Sequence, residues 1–396
     1  MIDIADAREL ALGGLVPLGT EAVSLDAALG RALGREVVAG RPFPGTTNSA
    51  MDGWAVRHAD LSVGASLRIV DRIPAGAVPT IPVASGEAAR IYTGAPLPPG
   101  ADTVVIQEDC DEVDGRVVVR EVPGLRDNVR AQGSDTRVGQ VLLSAGHELR
   151  PGDIAVLASQ GFATVEVHQR VRVVIVPNGD EVVTIDVTPG VGQVPDTNAW
   201  MLQAQVTRAG GSARRLDPVP DRADVLERAL RTAAAEADLV ITTGGMSVGD
   251  YDHARDALGL DGDLAFYKVR MKPGKPLGVG RLGGVPVLGL PGNPLSAFVG
   301  FELFGRPMLR TLGGFSVVDR PRFHARLGRD VRRNRGRVDH LRSRLHVDDG
   351  GWVVTPGPRQ GSGDMSSILW SDALAVIPSG TAPAREGELV EVVDLR

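Results

Sequence analysis

The stretch ADLVITTGG, residues 237–245, decides the fold. Leu239, Val240 and Ile241 follow one another with no polar interruption, and the run stops at Gly244-Gly245. Side chains of a strand alternate between two faces, so an unbroken apolar run belongs to a strand covered on both sides. VRVVIVP (171–177) has the same texture before it, and VPVLGLPG (285–292) after it. Helical patterns lie between and beyond: TNAWMLQAQVTRAGG (197–211), closed by glycines, DRADVLERALRTAAAEA (221–237), HARDALGL (253–260) and PLSAFVGFELFGRPML (294–309). SARRLDPV (212–219) and AFYKVRM (265–271) read as further strands. Strands alternating with helices predict a doubly wound, mostly parallel α/β sheet over 168–318. Ligands of such sheets sit beyond the carboxyl ends of the strands.

Outward from this domain the grammar changes. IADARELALGGL (4–15) and SLDAALGRALG (24–34) have helical spacing, and so does PGDIAVLASQGF (151–162). Short β-branched runs with Pro/Gly turns fill the region between: SLRIVDRI, ARIYTG, DTVVIQED and RVVVREV. The chain is therefore expected to have a helical linking domain (1–42 and 146–167) and a β-rich inserted domain (43–145). The α/β domain (168–318) and a small C-terminal β domain (319–396) follow. The basic stretch RDVRRNRGR (329–337) reads as a solvated face or hairpin first, and as a substrate contact second.

Composition narrows the function. The 396 residues carry a net charge of −6 and are only 4% aromatic, which argues against a nucleic-acid or acidic-membrane surface. No run approaches the roughly 18 apolar residues of a membrane span, and MIDIADAREL lacks the cationic and apolar regions of a signal peptide. A cytoplasmic location is expected. The single cysteine, Cys110, lies in the acidic run EDCDE, a poor setting for a thiolate. The seven histidines are scattered, so no His/Cys metal set or Ser-His-Asp triad can be assembled.

The lysines are unevenly placed. Lys268, Lys272 and Lys275, all within YKVRMKPGKP (267–276), are the only three, while the other 40 basic residues are arginine. An ammonium is a compact point charge that can meet a non-planar anion from several directions. In an extended AFYKVRM strand, Lys268, Arg270 and Lys272 share one face by the period-two rule. Three loops at strand ends add polar groups. VPNGDEVV offers Asp180 and Glu181. TTGGMSVGDYD offers Gly244, Gly245, Ser247, Gly249 and Asp252. LPGNPLSA offers Pro291, Gly292 and Asn293, the asparagine poised to cap a helix with Pro294 in its first position. Asp221 reads as a helix cap or as a carboxylate of the same site. Carboxylates beside cations and phosphate-cradling loops suggest Mg²⁺ with a phosphorylated ligand.

NSAMDGWAVR (48–57), the TGA-x-LP-x-GADTVV-x-QE run, the G-S-D-x-R-x-G loop, NGDE, TTGGMSVGDYD, KPGKP and LPGNPLSA resemble, in that order along the chain, the molybdopterin molybdenumtransferase (MoeA) family. The gephyrin E domain belongs to that family. The resemblance implies a molybdopterin-binding α/β domain and a small C-terminal β-barrel-like domain. It implies a homodimer whose cleft is shared between subunits. It also implies insertion of molybdate into adenylylated molybdopterin, with Mg²⁺ and release of AMP. By the same resemblance Asp52, Glu181, Asp221, Asp252, Lys268 and Lys272 would be catalytic, with Glu181, Asp221 and Asp252 holding the metal. Thr93, Asp135, Lys275, Arg342 and Ser362 would join the glycine loops in binding substrate. The chain departs from the family in one place: Pro177-Asn178 stands where Ser-Thr is usual before GDE. A tungstate-inserting enzyme and a non-catalytic pterin-binding scaffold are the rival readings.

Overall fold

A computed structural model of the chain describes residues 1–245 and 264–396. They divide into two compact units, one of residues 36–144 and 151–164, the other of residues 1–35, 145–150 and 165–396.

The smaller unit is built on a six-stranded sheet. Its order is Thr103–Ile106, Gly53–Val56, Glu87–Ile91, Ser66–Ile73, Arg116–Val119, Cys110–Val113. The β-branched runs of the sequence supply its longer strands. Alternation sends Trp54 and Val56 into one apolar cluster with Leu67, Val105 and Val117, and Ala55 into another with Ile73, Ile91 and Val104. Both faces are thus covered, which is why Gly53–Val56 is buried throughout. Helix Pro151–Ser159 belongs to this unit.

In the larger unit the α/β sheet has the order Ser212–Arg215, Arg172–Pro177, Leu239–Thr243, Val285–Leu290, Gly278–Leu282, Phe266–Tyr267. The first four are parallel and Gly278–Leu282 alone runs against its two neighbours, so the sheet is mostly parallel, as its unbroken apolar runs predict. Odd and even positions of Arg172–Pro177 feed different cores. Val173 and Ile175 pack with helix residues Leu202, Val206, Val299 and Leu309. Val174 and Val176 pack with Leu226, Leu230 and Ala233 of helix Ala223–Glu236. Strand Gly278–Leu282 was not anticipated, because GVGRL has little β-propensity of its own and is held by its neighbours. PLSAFVGFELFGRPML forms helix Pro294–Gly300, a π-helical turn Phe301–Gly305 and helix Arg306–Leu312.

The C-terminal residues close a small barrel. Val338–Asp348, Gly351–Pro356, Arg322–Leu327, Leu389–Asp394 and Ala373–Ile377 pair in a ring that returns to Val338–Asp348. Ala325, Leu327, Val354, Ala375 and Val392 fill it.

Two readings need correction. SLDAALGRALG is helical only at Leu25–Ala28. Gly30 turns at φ +71°, and Ala32 and Leu33 then form bridges with Glu148 and Val167. AFYKVRM is not one strand. Phe266–Tyr267 ends the α/β sheet, Lys268 adopts φ +70°, and Met271–Lys272 pairs instead with Val338 and Asp339 of the barrel. Period-two alternation therefore does not hold across 265–271, and Lys268, Arg270 and Lys272 do not share a face by that rule.

Candidate active site

The carboxyl ends of the three central parallel strands converge. At the first, the backbone N–H of Asn178 donates to the Thr243 carbonyl at 2.9 Å. At the second, Thr243 is followed by Gly244 with φ +106°, and a Cβ there would fall 2.1 Å from the Asn178 carbonyl oxygen. Only glycine permits that approach. At the third, Pro291 and Gly292 lie within reach of both. The Thr243 hydroxyl donates to the Pro291 carbonyl at 3.3 Å, and Gly292 would present a Cβ 3.4 Å from Gly244 Cα. Asn198, in the first turn of helix Asn198–Arg208, ties them together. Its Nδ2 donates to Thr243 Oγ1 at 2.7 Å and to the Gly292 carbonyl at 2.8 Å.

These loops line a cavity of ≈ 280 Å³ with Asn178, Glu181, Asp196, Asn198, Thr243 and Gly292 on its wall. Asp196 accepts the Ala199 N–H at 3.0 Å, and burial pushes its carboxyl above the usual range. Among the described residues Asn198 Oδ1 and Asn293 Oδ1 are buried without a partner. Asn293 has the backbone of a helix cap with Pro294 behind it, yet its side chain makes no capping bond. Buried acceptors of this kind mark places where a donor from a ligand or water belongs.

Asp221 is not a helix cap; Arg222 occupies that position for helix Ala223–Glu236. Instead Asp221 Oδ1 accepts Asn178 Nδ2 at 2.8 Å, and its N–H donates to Asp180 Oδ1 at 3.1 Å. Asn178 Oδ1 in turn accepts the Thr242 hydroxyl at 3.3 Å. Asn178 thus holds a carboxylate.

The lysines take separate paths. Lys268 Nζ lies 4.9 Å from the centre of the Tyr267 ring, a cation–π distance. Arg270 pairs with Asp3 at 3.2 Å. Lys272 is exposed and lines a different cavity from that of Glu181. Lys275 is half-buried, and its carbonyl accepts the Val269 N–H at 2.9 Å. Gly245 has φ +57°. Ser247, Gly249 and Asp252, with helix HARDALGL, lie outside the described residues.

In the smaller unit Asp52 and Thr93, 41 positions apart, meet. Asp52 Oδ1 accepts the Thr93 N–H at 2.8 Å and the Thr93 hydroxyl at 2.7 Å. The backbone N–H, then the hydroxyl, then the nearby Arg90 hold the Asp52 carboxyl below the usual range. Arg90 is itself fixed over Trp54 and Tyr92, with ring-centre distances of 5.3 and 5.0 Å. The glycine of NSAMDG is required by packing, since a Cβ at Gly53 would fall 2.1 Å from the Val105 carbonyl oxygen. Asp135 is exposed and accepts the Thr136 hydroxyl at 3.0 Å. Among the described residues no hydrogen bond joins it to the Asp52–Thr93 pair.

Arg342 is 1% exposed. Its Nε donates to Ser367 Oγ at 2.9 Å, and its terminal nitrogen reaches the Arg359 and Gly361 carbonyls at 3.3 and 3.2 Å. It braces the loop before Ser367, while Ser362 is exposed. Sequence reasoning missed Asn198, Thr243 and Arg90. The signal for Asn198 was available: a polar residue opening a helix directly after a strand end.

Known proteins match this chain along most of its length. Residues 2–161 match the MoeA N-terminal region (domain I and II), 174–311 the probable molybdopterin binding domain, and 324–395 the MoeA C-terminal region (domain IV). A molybdopterin molybdenumtransferase of Nostoc is 38% identical over 95% of this chain and 89% of its own length. The chain belongs to the molybdopterin molybdenumtransferase family. One of Haemophilus influenzae is 33% identical over 99% of this chain and 98% of its own. A crystal structure of a molybdopterin biosynthesis MoeA protein from Pyrococcus horikoshii superposes with a TM-score of 0.86 at 28% identity, covering 100% of both chains. Membership of the molybdenumtransferase family makes this chain an enzyme of molybdenum cofactor biosynthesis. No helix among the described residues is long and apolar enough to cross a membrane.

Proposed function

We propose that this enzyme inserts molybdate into adenylylated molybdopterin and releases AMP, in a Mg²⁺-dependent reaction. The observation that carries the reading is the convergence of Asn178, Thr243-Gly244, Pro291-Gly292 and Asn198 on a cavity that also holds Glu181. Backbone groups at strand ends, buried side-chain acceptors and a mostly apolar wall suit a flat heterocycle bearing donors. Asn198 Oδ1 and Asn293 Oδ1 would receive those donors.

The donor set also fits Mg²⁺, which prefers carboxylate oxygens and keeps several positions for water and phosphate. Glu181 and Asp221 stand at neighbouring strand ends, and one Asp221 oxygen is already oriented by Asn178. With Asp252 they would hold the ion, whose chemistry is to neutralise charge on the leaving phosphate. Lys268, Lys272 and Lys275 would hold molybdate and a phosphate as point charges. Asp52, kept ionised by Thr93, and Asp135 would act from the β-rich region, in a homodimer whose cleft is shared between subunits. The enzyme would work in the cytoplasm. The four-domain division stated above, with boundaries near 42, 145, 167 and 318, belongs to the same proposal.

The test is AMP release from adenylylated molybdopterin with Mg²⁺, with and without molybdate. Release that requires molybdate and falls by roughly 100-fold or more in Lys272→Ala is expected, as for loss of one oxyanion donor. No release with molybdate or tungstate from folded protein would replace the reading with a pterin-binding scaffold. Release driven by tungstate in preference to molybdate would change the metal.

A further inference from the structure

The loop RDVRRNRGR, whose sequence reads as a solvated face or a substrate contact, shares a cavity with Lys272. Strand pairing brings this about: Lys272 registers with Asp339, and the arginine loop runs directly into Val338–Asp348. A cavity of ≈ 430 Å³ results, lined by Lys272, Arg332, Arg333, Asn334, Arg335 and Asp339 together with Gly380 and Thr381.

The charge of this cavity is not balanced. Many arginines of this protein pair with a carboxylate, and Arg333 does so here, donating to Glu388 and to the Pro378 carbonyl. Among the described residues no carboxylate lies within ion-pair distance of Lys272, Arg332 or Arg335. The single acid of the lining is Asp339, which is only 4% exposed and has one buried oxygen without a partner. Burial raises its carboxyl pKa, while Lys272 and then Arg337 oppose the rise. Among the described residues, three cations without an ion-pair partner face one carboxylate, an excess of two positive charges in a concave, polar space. Like charges held together without a counter-ion repel, and a concave wall focuses their field outward.

We propose that this cavity is an oxyanion site that takes a tetrahedral dianion of the phosphate type, free or as a terminal phosphomonoester. Arg332 and Arg335 supply forked donors and Lys272 a point charge, the combination that tetrahedral oxyanions accept from several sides. Asp339 is the resident counter-ion beneath the site, reducing the mutual repulsion of the cations when no anion is bound. The site shares Lys272 with the proposed transferase reading and rests on it to that extent, but phosphate binding needs neither a pterin nor turnover, so its failure is distinguishable from a failure to release AMP.

Binding of inorganic phosphate to the full chain at low ionic strength, followed by calorimetry or equilibrium dialysis, tests it. R332A/R335A should weaken phosphate binding tenfold or more. R228A/R231A, which removes two arginines from helix Ala223–Glu236, should change it less than twofold. Asp339→Asn should tighten it severalfold, a gain that damaged folding would not produce. AMP displacing phosphate with the same arginine dependence assigns the site to a phosphomonoester; phosphate binding that AMP leaves unaffected assigns it to a free oxyanion. Equal affinity in the wild type and R332A/R335A overturns the site. So does an equal loss in R228A/R231A, which would reduce the effect to overall charge.

Discussion

Asn178 shows how one side chain can serve two neighbours. Its Nδ2 orients Asp221 at 2.8 Å, and its Oδ1 accepts the buried Thr242 hydroxyl at 3.3 Å. A threonine hydroxyl at this position would also offer Asp221 a donor, with a shorter reach than the amide. Asn178→Ala removes that donor and leaves the carboxylate to find its own rotamer. Loss of a group that orients a metal-binding carboxylate commonly costs about 10- to 100-fold in activity or metal affinity. With Asp221 in its proposed role as a Mg²⁺ ligand, Asn178→Ala should lower turnover by roughly tenfold or more and raise the Mg²⁺ needed for half-maximal rate, while Asn178→Thr recovers most of both. Thr242 keeps its bond to the Val176 carbonyl at 3.1 Å, so stability should fall by only about 1 kcal/mol. Wild-type turnover in Asn178→Ala would remove Asn178 from the machinery.

At the scale of elements, strand ends do the positioning. Leu239–Thr243 ends where Gly244 must pass under Asn178, and the obstacle there is backbone, which cannot swing aside. Gly244→Ala thus meets a positive φ and a clash together. Gly284 provides the comparison: its φ is +84°, but a Cβ there meets nothing within 4 Å. Gly284→Ala should cost about 1 kcal/mol for the left-handed conformation alone. Gly244→Ala should cost roughly 3 kcal/mol or more, because strand ends must also separate. Denaturant unfolding of the two variants measures the difference, and similar losses would show that the Asn178 contact relaxes freely. The sequence announced this glycine through its place after an apolar run. It could not announce the break at Lys268. Alternation in AFYKVRM is a local property, and the two halves of the segment are claimed by different sheets, one through Val279 and one through Val338. The same limit hid the arginine loop's relation to Lys272, since no local pattern links residues 272 and 332.

Over the whole molecule, the α/β sheet was legible because each strand and helix carries its own periodicity and consecutive elements lie side by side. The site was legible only in part. Asp52 and Thr93 could be named from motifs, but their hydrogen bonds depend on a sheet that joins positions 41 residues apart. Barrel closure was less legible still, because Asp339–Ser343 must find Ala373–Ile377 across an intervening strand. That closure produces a buried seam. Along the strand that begins at Val338, Leu341 packs into the barrel, while Val338 packs on the core shared with the α/β helices. His340 lies two positions from Val338 and so shares its face, with Val376 as its cross-strand partner. It is 2% exposed, and its Nδ1 has no partner among the described residues. Burial first, and then Arg322, push its pKa down to about 3 from an ordinary 6.5. The folded state therefore refuses a proton that the unfolded chain accepts below about pH 6.5. Stability from this group is complete above the unfolded pKa and is lost as pH falls toward the folded value. One such group imposes a slope of up to about 1.4 kcal/mol per pH unit. Urea unfolding between pH 7 and pH 5 should show that slope in the wild type, and His340→Gln should flatten it by about the same amount. Parallel pH profiles for the two proteins would mean that His340 takes up its proton in the folded state, and that the seam between barrel and α/β sheet admits water.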